Sequence, residues 1–451
     1  MTERQSSEQA TALGVRPVGR LLWHACSQTT LSVGVYGIYA LTNAWFVARG
    51  VGPDALAAVN LVAPVLLILG AVGTTVGVGG ASLVSRRLGA GDSGGAGRAA
   101  GNTFVVFWVT ALVVMVAGLA ALEPLLTVLG AHGEVRGYAR DYAVVLLLGA
   151  FSATGFSALV RAEGRMAFST MLWVGPILVQ MTLDPLLVFG LDMGVRGAAL
   201  GTVGGQSLST GMSLWFFFVQ RRRPYRVGLK QLRPHLATIA AVITIGAPSF
   251  LAGFGATLLV VLANNRLAAT GGAVALAAFA VASRLQTFAA MPHMGIAQGL
   301  QPVAGYNAGA QLWPRVRRAR VLALRATVGY GAAAAAALAL LAEPLVGLFV
   351  DDGPVATASV TAVRIIAAGL VFSGVTPMVS SYFQALGQAR PSYALSLGTL
   401  LVIKIPLLLL LGTFGGPGVW IGLSAGEAAA AVAALILLRA QQERGARAAL
   451  A

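Results

Sequence analysis

The sequence predicts an all-α integral membrane protein with twelve transmembrane helices in two six-helix bundles. Three observations predict this fold class. Of the 451 residues, 57% are hydrophobic and 10% are charged, whereas a soluble domain carries about 25% charged residues. The hydrophobic residues form repeated stretches of roughly 20 residues, the length at which a helix crosses a bilayer. Features of the first half of the chain also recur in the second.

Hydropathy places twelve spans between short polar segments. The predicted spans cover residues 21–47, 54–84, 99–121, 137–160, 168–190, 197–219, 238–264, 274–302, 322–342, 360–384, 393–414 and 418–438. The predicted domains are a tail (1–20), an N-terminal six-helix bundle (21–220), a basic linker (221–235), a C-terminal six-helix bundle (236–438) and a second tail (439–451). The first 19 residues are polar, unlike the apolar core of a cleavable signal peptide.

Residues that match at a nearly constant offset indicate that the two halves are repeats. Gly52 and the Ala-Leu-Ala-Ala segment 55–58 recur as Gly272 and segment 275–278, an offset of 220 residues. Gly194, Gly197 and Gly201 recur as Gly415, Gly418 and Gly422, an offset of 221. With six spans per half, both halves enter the membrane in the same direction. Parallel repeats related by a pseudo-two-fold axis along the membrane normal are typical of transporters.

The net charge of +16 is distributed unevenly between the two ends of the predicted spans. Most basic residues lie at the end that carries the linker and both tails. The opposite end is expected to hold Arg49, Arg136, Arg140, Arg196, Arg266, Arg364, Glu123, Glu134, Asp192, Glu343, Asp351 and Asp352. By the positive-inside rule, both termini of this multi-pass chain are expected to be cytoplasmic, in a cell inner (plasma) membrane. The arginines are therefore expected to set topology and not to bind nucleic acid.

Short motifs run in order through both halves. The first half contains Asn43–Val47, Ala55–Asn60, Leu183–Pro185 and Gly197–Leu200. The second half contains Gly246–Leu251, Met291–Pro292, Gln298–Gly299, Gly305–Asn307 and Tyr382–Ala385. Together they resemble the MATE (multidrug and toxic compound extrusion) family, in its DinF-like and MepA-like bacterial branches, over roughly residues 20 to 435. The resemblance implies a secondary-active antiporter that exports cationic or amphipathic organic compounds against inward flow of H⁺ or Na⁺.

Ion coupling requires a group inside the membrane that binds a cation in one state and releases it in another. A carboxylate suits this role because burial disfavours its charged form and makes proton uptake reversible. Of the fifteen Asp and Glu residues, only Asp184 and Glu427 lie well inside predicted spans. Pro185 follows Asp184, and a proline leaves one backbone carbonyl without its helical partner. Asp184 is therefore the first candidate for coupling, with bracing of neighbouring helices as the structural alternative.

The resemblance implies a cation site around Asp184. The family positions of that site are occupied here by Asp184, Gln180, Thr202 and Asn43. Gln180 replaces an asparagine, and Asn43 replaces an aspartate of the first helix. Because one carboxylate is present where the branch has two, H⁺ is favoured as the coupling ion, and Na⁺ at Asp184 is the alternative.

Other residues within the spans are candidates for substrate contact or charge pairing. Glu427 is expected to pair with Lys404 or to attract cationic substrate, and pairing is preferred because lone intramembrane charges are unfavourable. Arg284 is expected to brace backbone carbonyls. The candidate substrate-binding residues are Tyr36, Tyr39, Met181, Gln206, Met291, Met294 and Glu427. Methionine and aromatic side chains suit loose recognition of varied ligands, although ordinary packing is their commoner use.

The sequence lacks the motifs of several other classes of protein. It has no Walker-type phosphate loop, no metal-ligand spacing and no nucleophile–base set, so an enzyme, a cofactor and a bound metal are not expected. The expected partners of this monomer are small organic substrates and membrane lipids. Two alternatives stay open: a lipid-linked saccharide flippase of the same superfamily, and a non-transporting membrane receptor or scaffold.

Overall fold

The computed structural model describes residues 10–152, 156–220 and 223–448, and it places most of them in helices. No strand occurs in these ranges. The side chains of residues 36, 39–41, 64, 66, 67, 69 and 444–448 lie outside the description. The predicted all-α fold class is confirmed.

The described residues of the first six predicted spans lie almost entirely in helical segments. The helices are α1 (Val18–Gly50), α2 (Pro53–Gly89), α3 (Ser93–Ala120), α4 (Leu122–Val128), α5 (Gly133–Leu148), α6 (Phe156–Ala162), α7 (Met166–Pro185) and α8 (Gly194–Leu214). A 3-10 turn, Gly149–Ser152, follows α5, so the predicted span 137–160 is not one regular helix. Turns of π-helix extend α7 through Leu186–Gly190 and α8 through Trp215–Val219.

The last six predicted spans also lie in helical segments. The helices are α9 (Leu236–Thr270), α10 (Gly272–Gly309), α11 (Trp313–Leu340), α12 (Ala342–Gly347), α13 (Pro354–Ser373), α14 (Val375–Ala385), α15 (Ala389–Tyr393), α16 (Ile405–Leu411) and α17 (Gly415–Ala448). The predicted span 360–384 is interrupted at Gly374. Two π-helical turns, Ala394–Gly398 and Leu400–Lys404, occupy much of the predicted span 393–414.

Eight helical runs within the described ranges are long and apolar enough to cross a membrane. One of them, residues 389–443, contains the last two predicted spans. Helix α8 falls outside this group. The glycine, serine and threonine residues of α8 lower its hydropathy, and they also let neighbouring helices approach closely.

Contacts between Cα atoms divide the chain into two compact units. Unit 1 comprises residues 10–16, Leu31–Ala247 and Gly305–Gln311. Unit 2 comprises Pro17–Thr30, Pro248–Ala304 and the residues from Leu312 onward. Helices α1, α9 and α10 therefore each contribute residues to both units.

Each unit has its own apolar core. The core of unit 1 includes the aromatic residues Phe104, Phe107, Tyr142, Phe156 and Phe217, with the rings of Phe104 and Phe156 centred 4.2 Å apart. The core of unit 2 includes Leu267, Phe279, Ile366, Leu408 and Trp420.

The glycines that repeat between the halves occupy equivalent turns. Gly52, before α2, has φ 127°, and its counterpart Gly272, which begins α10, has φ 65°. Gly194 and Gly415, which begin α8 and α17, have φ 55° and 83°. Side chains other than hydrogen disfavour positive φ. The recurrence of these glycines therefore has a conformational cause at each helix start.

Candidate functional site

Asp184 lies in the last turn of α7 and is 2% exposed. Its Oδ2 accepts a long hydrogen bond of 3.5 Å from Gln180 Nε2, one turn earlier. Its Oδ1 has no hydrogen-bond partner among the described residues, nor does any lysine, arginine or histidine of these ranges form an ion pair with it. A buried carboxylate with one open oxygen is a place where a proton or a cation can bind.

Two glycines of α8 make room for this carboxylate. A Cβ atom added to Gly201 would overlap Asp184 Oδ1. One turn later, a Cβ added to Gly205 would lie 2.6 Å from the Pro176 carbonyl oxygen of α7. The backbone of α8 at these two glycines therefore lies directly against α7, and small residues allow such close approach in membrane helices.

Gln180 and Thr202 form the rest of the hydrogen-bonded group. Gln180 Nε2 donates to Thr202 Oγ1 at 2.9 Å. The Thr202 hydroxyl in turn donates to the Ala198 carbonyl oxygen at 3.1 Å. Both side chains are buried. The structure therefore brings together three of the four residues predicted for the cation site, and the amide N–H of Gln180 faces the carboxylate.

Asn43, the fourth predicted residue, is buried on α1 and contacts a different neighbour. Its Nδ2 donates to the hydroxyl of Tyr142 on α5 at 3.4 Å. Its Oδ1 has no hydrogen-bond partner in the part of the chain that the structure describes. An asparagine amide carries no charge, so Asn43 cannot balance the charge of a bound cation.

Three residues of this neighbourhood were not predicted as part of the site: Gly201, Gly205 and Tyr142. The two glycines were detectable, because Gly197, Gly201 and Gly205 recur every four residues and so share one face of a helix. No pattern in the sequence pointed to Tyr142, whose partner Asn43 lies 99 positions earlier.

Lys404 and Glu427 form an ion pair in unit 2. Lys404 Nζ, at the end of a π-helical turn, lies 2.6 Å from Glu427 Oε1 on α17. Their side chains are 18% and 20% exposed. Glu427 therefore differs from Asp184, because its charge is balanced by a partner.

The remaining predicted residues are spread over both units. In unit 1, Met181 is exposed, and Gln206 Oε1 accepts from Ser152 Oγ at 3.4 Å. In unit 2, Met291 is half-buried and Met294 is exposed. The side chains of Tyr36 and Tyr39 lie outside the described residues.

Arg284, predicted to brace backbone carbonyls, shows no such contact among the described residues. Its side chain is exposed on α10, together with Ala280, Thr287 and Phe288. No ion pair or hydrogen bond of Arg284 occurs within the described ranges. The spacing of these four residues places Arg284 on one exposed face of α10.

Glu163, just beyond the predicted span 137–160, is a second buried carboxylate of unit 1. It pairs with Arg223, and both side chains are at most 1% exposed. The Arg223 guanidinium also lies 4.2 Å from the ring centre of Phe217 and 4.5 Å from that of Tyr225. Because this charge is fully balanced, Glu163 anchors the linker and does not resemble Asp184.

No group of three or more His, Cys, Asp or Glu side chains suited to a metal ion occurs in the described ranges.

The chain matches one family model over most of its length. Residues 30–186 and 240–410 match the model described as MatE. The chain belongs to the MatE family. The predicted resemblance to MATE transporters is confirmed.

Curated relatives and solved structures agree with this assignment. The chain is 27% identical to the multidrug export protein MepA of Staphylococcus haemolyticus over 413 residues, 90% of each chain. It is 26% identical to MepA of Staphylococcus aureus over 435 residues, 95% of each. Among solved structures, it is similar to an outward-facing multidrug resistance MATE family transporter, with TM-score 0.90, 25% identity and coverage of 96% of this chain and 97% of that one. A MOP superfamily transporter from Pyrococcus furiosus matches with the same four values.

Two further predictions are confirmed by these relatives. The similar proteins are transporters and export proteins, so the MatE chain is not an enzyme. Its apolar helices and its family make it a multi-pass membrane protein.

Proposed function

We propose that this MatE protein is a multidrug exporter that moves small cationic or amphipathic organic compounds out of the cell in exchange for protons. It works by alternating access in the inner membrane, with both termini cytoplasmic. Asp184 takes up and releases the coupling proton. The proposal is supported by family membership and by relatives that are named multidrug export proteins over 90% or more of their length.

One observation carries the assignment of Asp184: it is a buried carboxylate without a cationic partner in the described ranges, and its Oδ1 lacks any hydrogen bond. Two other carboxylates, the fully buried Glu163 and the partly buried Glu427, are held in ion pairs. A buried charge without a partner is unfavourable, so its neutralisation by a proton changes the stability of the local packing. Protonation stabilises a paired carboxylate much less, because its charge is already balanced.

The surroundings of Asp184 favour a proton over Na⁺. A sodium ion requires several oxygen ligands directed at one point, by the same hard-cation logic as Mg²⁺ or Ca²⁺. Here Gln180 turns its N–H donor toward Asp184 and Thr202, and the positive end of an N–H dipole repels a cation. A proton on Oδ1 needs only that one oxygen.

Coupling follows if protonation changes the relative stability of two conformations. A charged Asp184 favours a state in which water or a cation reaches Oδ1, and a neutral one tolerates close packing of α7 against α8 at Gly201. A ligand shifts an equilibrium only by its difference in affinity for the two states. Proton binding and substrate release are then linked through the same equilibrium.

The test is export by the purified full-length protein in liposomes under an imposed pH gradient, with a fluorescent organic cation as substrate. Asp184→Asn is expected to lower gradient-driven export by roughly tenfold or more, the range of a typical coupling free energy. Substrate binding without a gradient should be retained, because the change affects coupling. An imposed Na⁺ gradient without a pH gradient should drive little export.

The matched control is Asp192→Asn, the same chemical change on an exposed residue just beyond α7. Asp192 has φ 50°, and asparagine tolerates this region well, so the control is expected to export normally. Full gradient-driven export by Asp184→Asn would refute the assignment of Asp184. Absence of export by the unchanged protein across a panel of cations would refute the function itself.

A further inference from the structure

A buried histidine of unit 2 takes no part in the mechanism proposed for Asp184. His293 lies on α10, within the eighth predicted span, and is 2% exposed. The helical run Gly272–Gly309 that contains it is long and apolar enough to cross a membrane. Histidine is the side chain that ordinarily gains and loses a proton near neutral pH. The contacts of its two ring nitrogens therefore decide whether His293 can bind one.

One ring nitrogen of His293 is bonded and the other is not. Nδ1 lies 2.9 Å from the hydroxyl oxygen of Thr327 on α11, a residue that is fully buried. Nε2 has no hydrogen-bond partner in the part of the chain that the structure describes. A hydroxyl group both donates and accepts, so Thr327 can pair with Nδ1 whether or not Nδ1 carries a proton. Nε2 is then the position at which the ring gains or loses a proton.

The ring packs against the place where α13 ends and α14 begins. Gly374 lies between these helices, and a Cβ atom added to it would overlap His293 Nδ1. The carbonyl oxygen of Leu370, one turn earlier, is a further polar neighbour of the ring. This break between the two helices, the Gly374 junction, therefore presents backbone to the imidazole, as Gly201 does to Asp184.

The turn of α10 that carries His293 is held by α11. Pro292 precedes the histidine within the helix, and a proline removes one helical hydrogen bond and bends its helix. The hydroxyl of Tyr330 donates to the Ala289 carbonyl oxygen in this turn at 2.9 Å. The Tyr330 ring also lies edge-on to the imidazole, with ring centres 5.1 Å apart. Thr327 and Tyr330 are three residues apart and so share one face of α11.

The helices around this imidazole carry no carboxylate. Helices α10, α11, α13 and α14 contain no Asp or Glu. Their other titratable groups are Arg284 and Tyr306 of α10, Tyr330 and five arginines between residues 315 and 325 of α11, Arg364 of α13 and Tyr382 of α14. Tyr330 is the one with a ring contact to His293 in the described ranges. A positive charge on the packed imidazole would thus be buried without a counter-ion, which is unfavourable.

We propose that His293 is a second proton-binding residue of this exporter, an inference that rests on the proton-coupled function proposed above. Nε2 takes a proton from water when the Gly374 junction separates from α10, and it returns the proton to water when the two pack together again. The response is opposite to that of Asp184, because a proton removes the charge of the aspartate and gives the histidine one. Proton binding at both residues then packs α7 against α8 and opens the Gly374 junction, and substrate binding reverses both changes.

The test counts the protons released when ethidium, a fluorescent organic cation, binds to the full-length protein in detergent micelles. A pH indicator in weakly buffered solution reports the release between about pH 5 and 8, a range that includes the ordinary histidine pKa of about 6.5. The unchanged protein should release up to two protons per ethidium, one from each residue. His293→Asn keeps a polar group for Thr327 and cannot bind a proton, so it should release about one proton fewer. His132→Asn, the same change on an exposed histidine before α5, should release as many as the unchanged protein.

The variants separate this inference from the function on which it rests. Release that falls in Asp184→Asn and is unchanged in His293→Asn would overturn the role of His293 and leave coupling by Asp184 intact. Export by the unchanged protein without any proton release would contradict proton coupling itself. Thr327→Val disturbs the same packing and keeps the imidazole, so it should retain the second proton. Equal losses in Thr327→Val and His293→Asn would show that packing alone sets the proton count, and they would overturn the proposal.

A second measurement does not depend on the folding of a variant at position 293. In the unchanged protein with isotope-labelled histidine, ethidium should move the ring signal of His293 toward that of neutral imidazole in nuclear magnetic resonance spectra between about pH 5 and 8. The other histidines, His24, His132 and His235, are exposed, and their signals are assigned from their own asparagine variants. A His293 signal that ethidium leaves unmoved throughout this range would overturn the proposal.

Discussion

Asp184 in unit 1 and Glu427 in unit 2 show two ways of placing a carboxylate inside a helical membrane protein. Glu427 is one-fifth exposed and lies 2.6 Å from a lysine nitrogen. Asp184 is almost fully buried, has only a 3.5 Å hydrogen bond from Gln180, and leaves Oδ1 unpartnered. Both residues are acids within predicted spans, and the sequence already favours pairing with Lys404 for Glu427 and coupling for Asp184, but it does not predict the difference in burial and hydrogen bonding.

The difference lies in the neighbouring helix. Opposite Glu427, a lysine neutralises the charge. Opposite Asp184, Gly201 supplies neither a charge nor a side chain, and the carboxylate occupies the space that a Cβ would fill. A paired acid is stable in its charged form, whereas an unpaired buried acid is sensitive to whatever binds it. The comparison therefore favours a structural role for Glu427 and supports the proposal that Asp184 is the coupling residue.

Among variants that keep Asp184, the largest effect is expected from Gly201→Ala, which changes no titratable group. The added methyl overlaps Asp184 Oδ1, so the carboxylate must move or α7 and α8 must separate. Gradient-driven export should fall nearly as far as in Asp184→Asn, by roughly tenfold. This loss is measured as export by the purified protein in liposomes under a pH gradient.

Gly426→Ala on α17 is the control for this substitution. Its methyl would lie 3.5 Å from Lys404 Cα, an ordinary van der Waals distance beside the other acid. Normal export is expected. Equal losses in the two alanine variants would mean that helix packing in general, and not the carboxylate of Asp184, limits transport.

The fold was predictable because the membrane imposes simple rules. Apolar stretches of sufficient length must be helical in lipid, and the described residues of the twelve predicted spans lie almost entirely in helical structure. Local irregularities were not predictable. The π-helical turn after Pro185, the one that ends at Lys404 and the interruption at Gly374 depend on packing between helices and not on hydropathy.

The site was predictable in its titratable residue and less so in its surroundings. Acids are rare within the spans, so Asp184 stood out, and the family resemblance identified Gln180 and Thr202 as neighbours. The burial of Glu163 against Arg223 was not predictable, since both residues lie near span ends and 60 positions apart. The spacing of Gly201 and Gly205 was visible, but only the structure shows which side chain occupies the space between the helices.

A smaller effect is expected from breaking the pair in unit 2. Glu427→Gln leaves Lys404 partly buried without its counter-ion, which should lower the free energy of unfolding by about 1–2 kcal/mol. The double variant Lys404→Met, Glu427→Leu removes both charges and should recover most of that loss. Thermal unfolding in detergent measures both. A single variant as stable as the unchanged protein would mean that the ion pair contributes little, and the contrast with Asp184 would weaken.

Thr202→Val should have a milder effect still. The substitution keeps the shape of the side chain and removes the acceptor of the 2.9 Å bond from Gln180. We expect a loss of about 1 kcal/mol in stability and a partial loss of export, because Gln180 is then free to turn. Thr287→Val, which removes a local bond to the Ser283 carbonyl on α10, is the control. Identical export in both would remove Thr202 from the Asp184 group.

The smallest effect concerns Asp92, an aspartate outside the membrane that shows how an exposed carboxylate responds to pH. The backbone N–H of Gly95 donates to its Oδ1 at 2.7 Å, and this bond, followed by Arg87, holds the pKa of Asp92 below its ordinary value of 3.8. Its contribution to stability is therefore fully present above that value and is lost as the pH falls through the lower pKa of the folded state.

Asp92→Asn keeps a good N-cap for α3 and removes the titration, so stability should be nearly unchanged at pH 7 and should depend less on pH below about 4. Asp92→Ala should lose up to about 1 kcal/mol at pH 7. Unfolding midpoints measured between pH 3 and pH 8 check both. Neither variant should alter the response of export to pH between 6 and 8, because the carboxylate of Asp92 stays charged throughout that range. A change in that response in either variant would mean that a surface carboxylate can produce the pH dependence proposed for Asp184. The pH dependence of export could then be attributed to Asp184 only if both Asp184→Asn and Gly201→Ala abolished it.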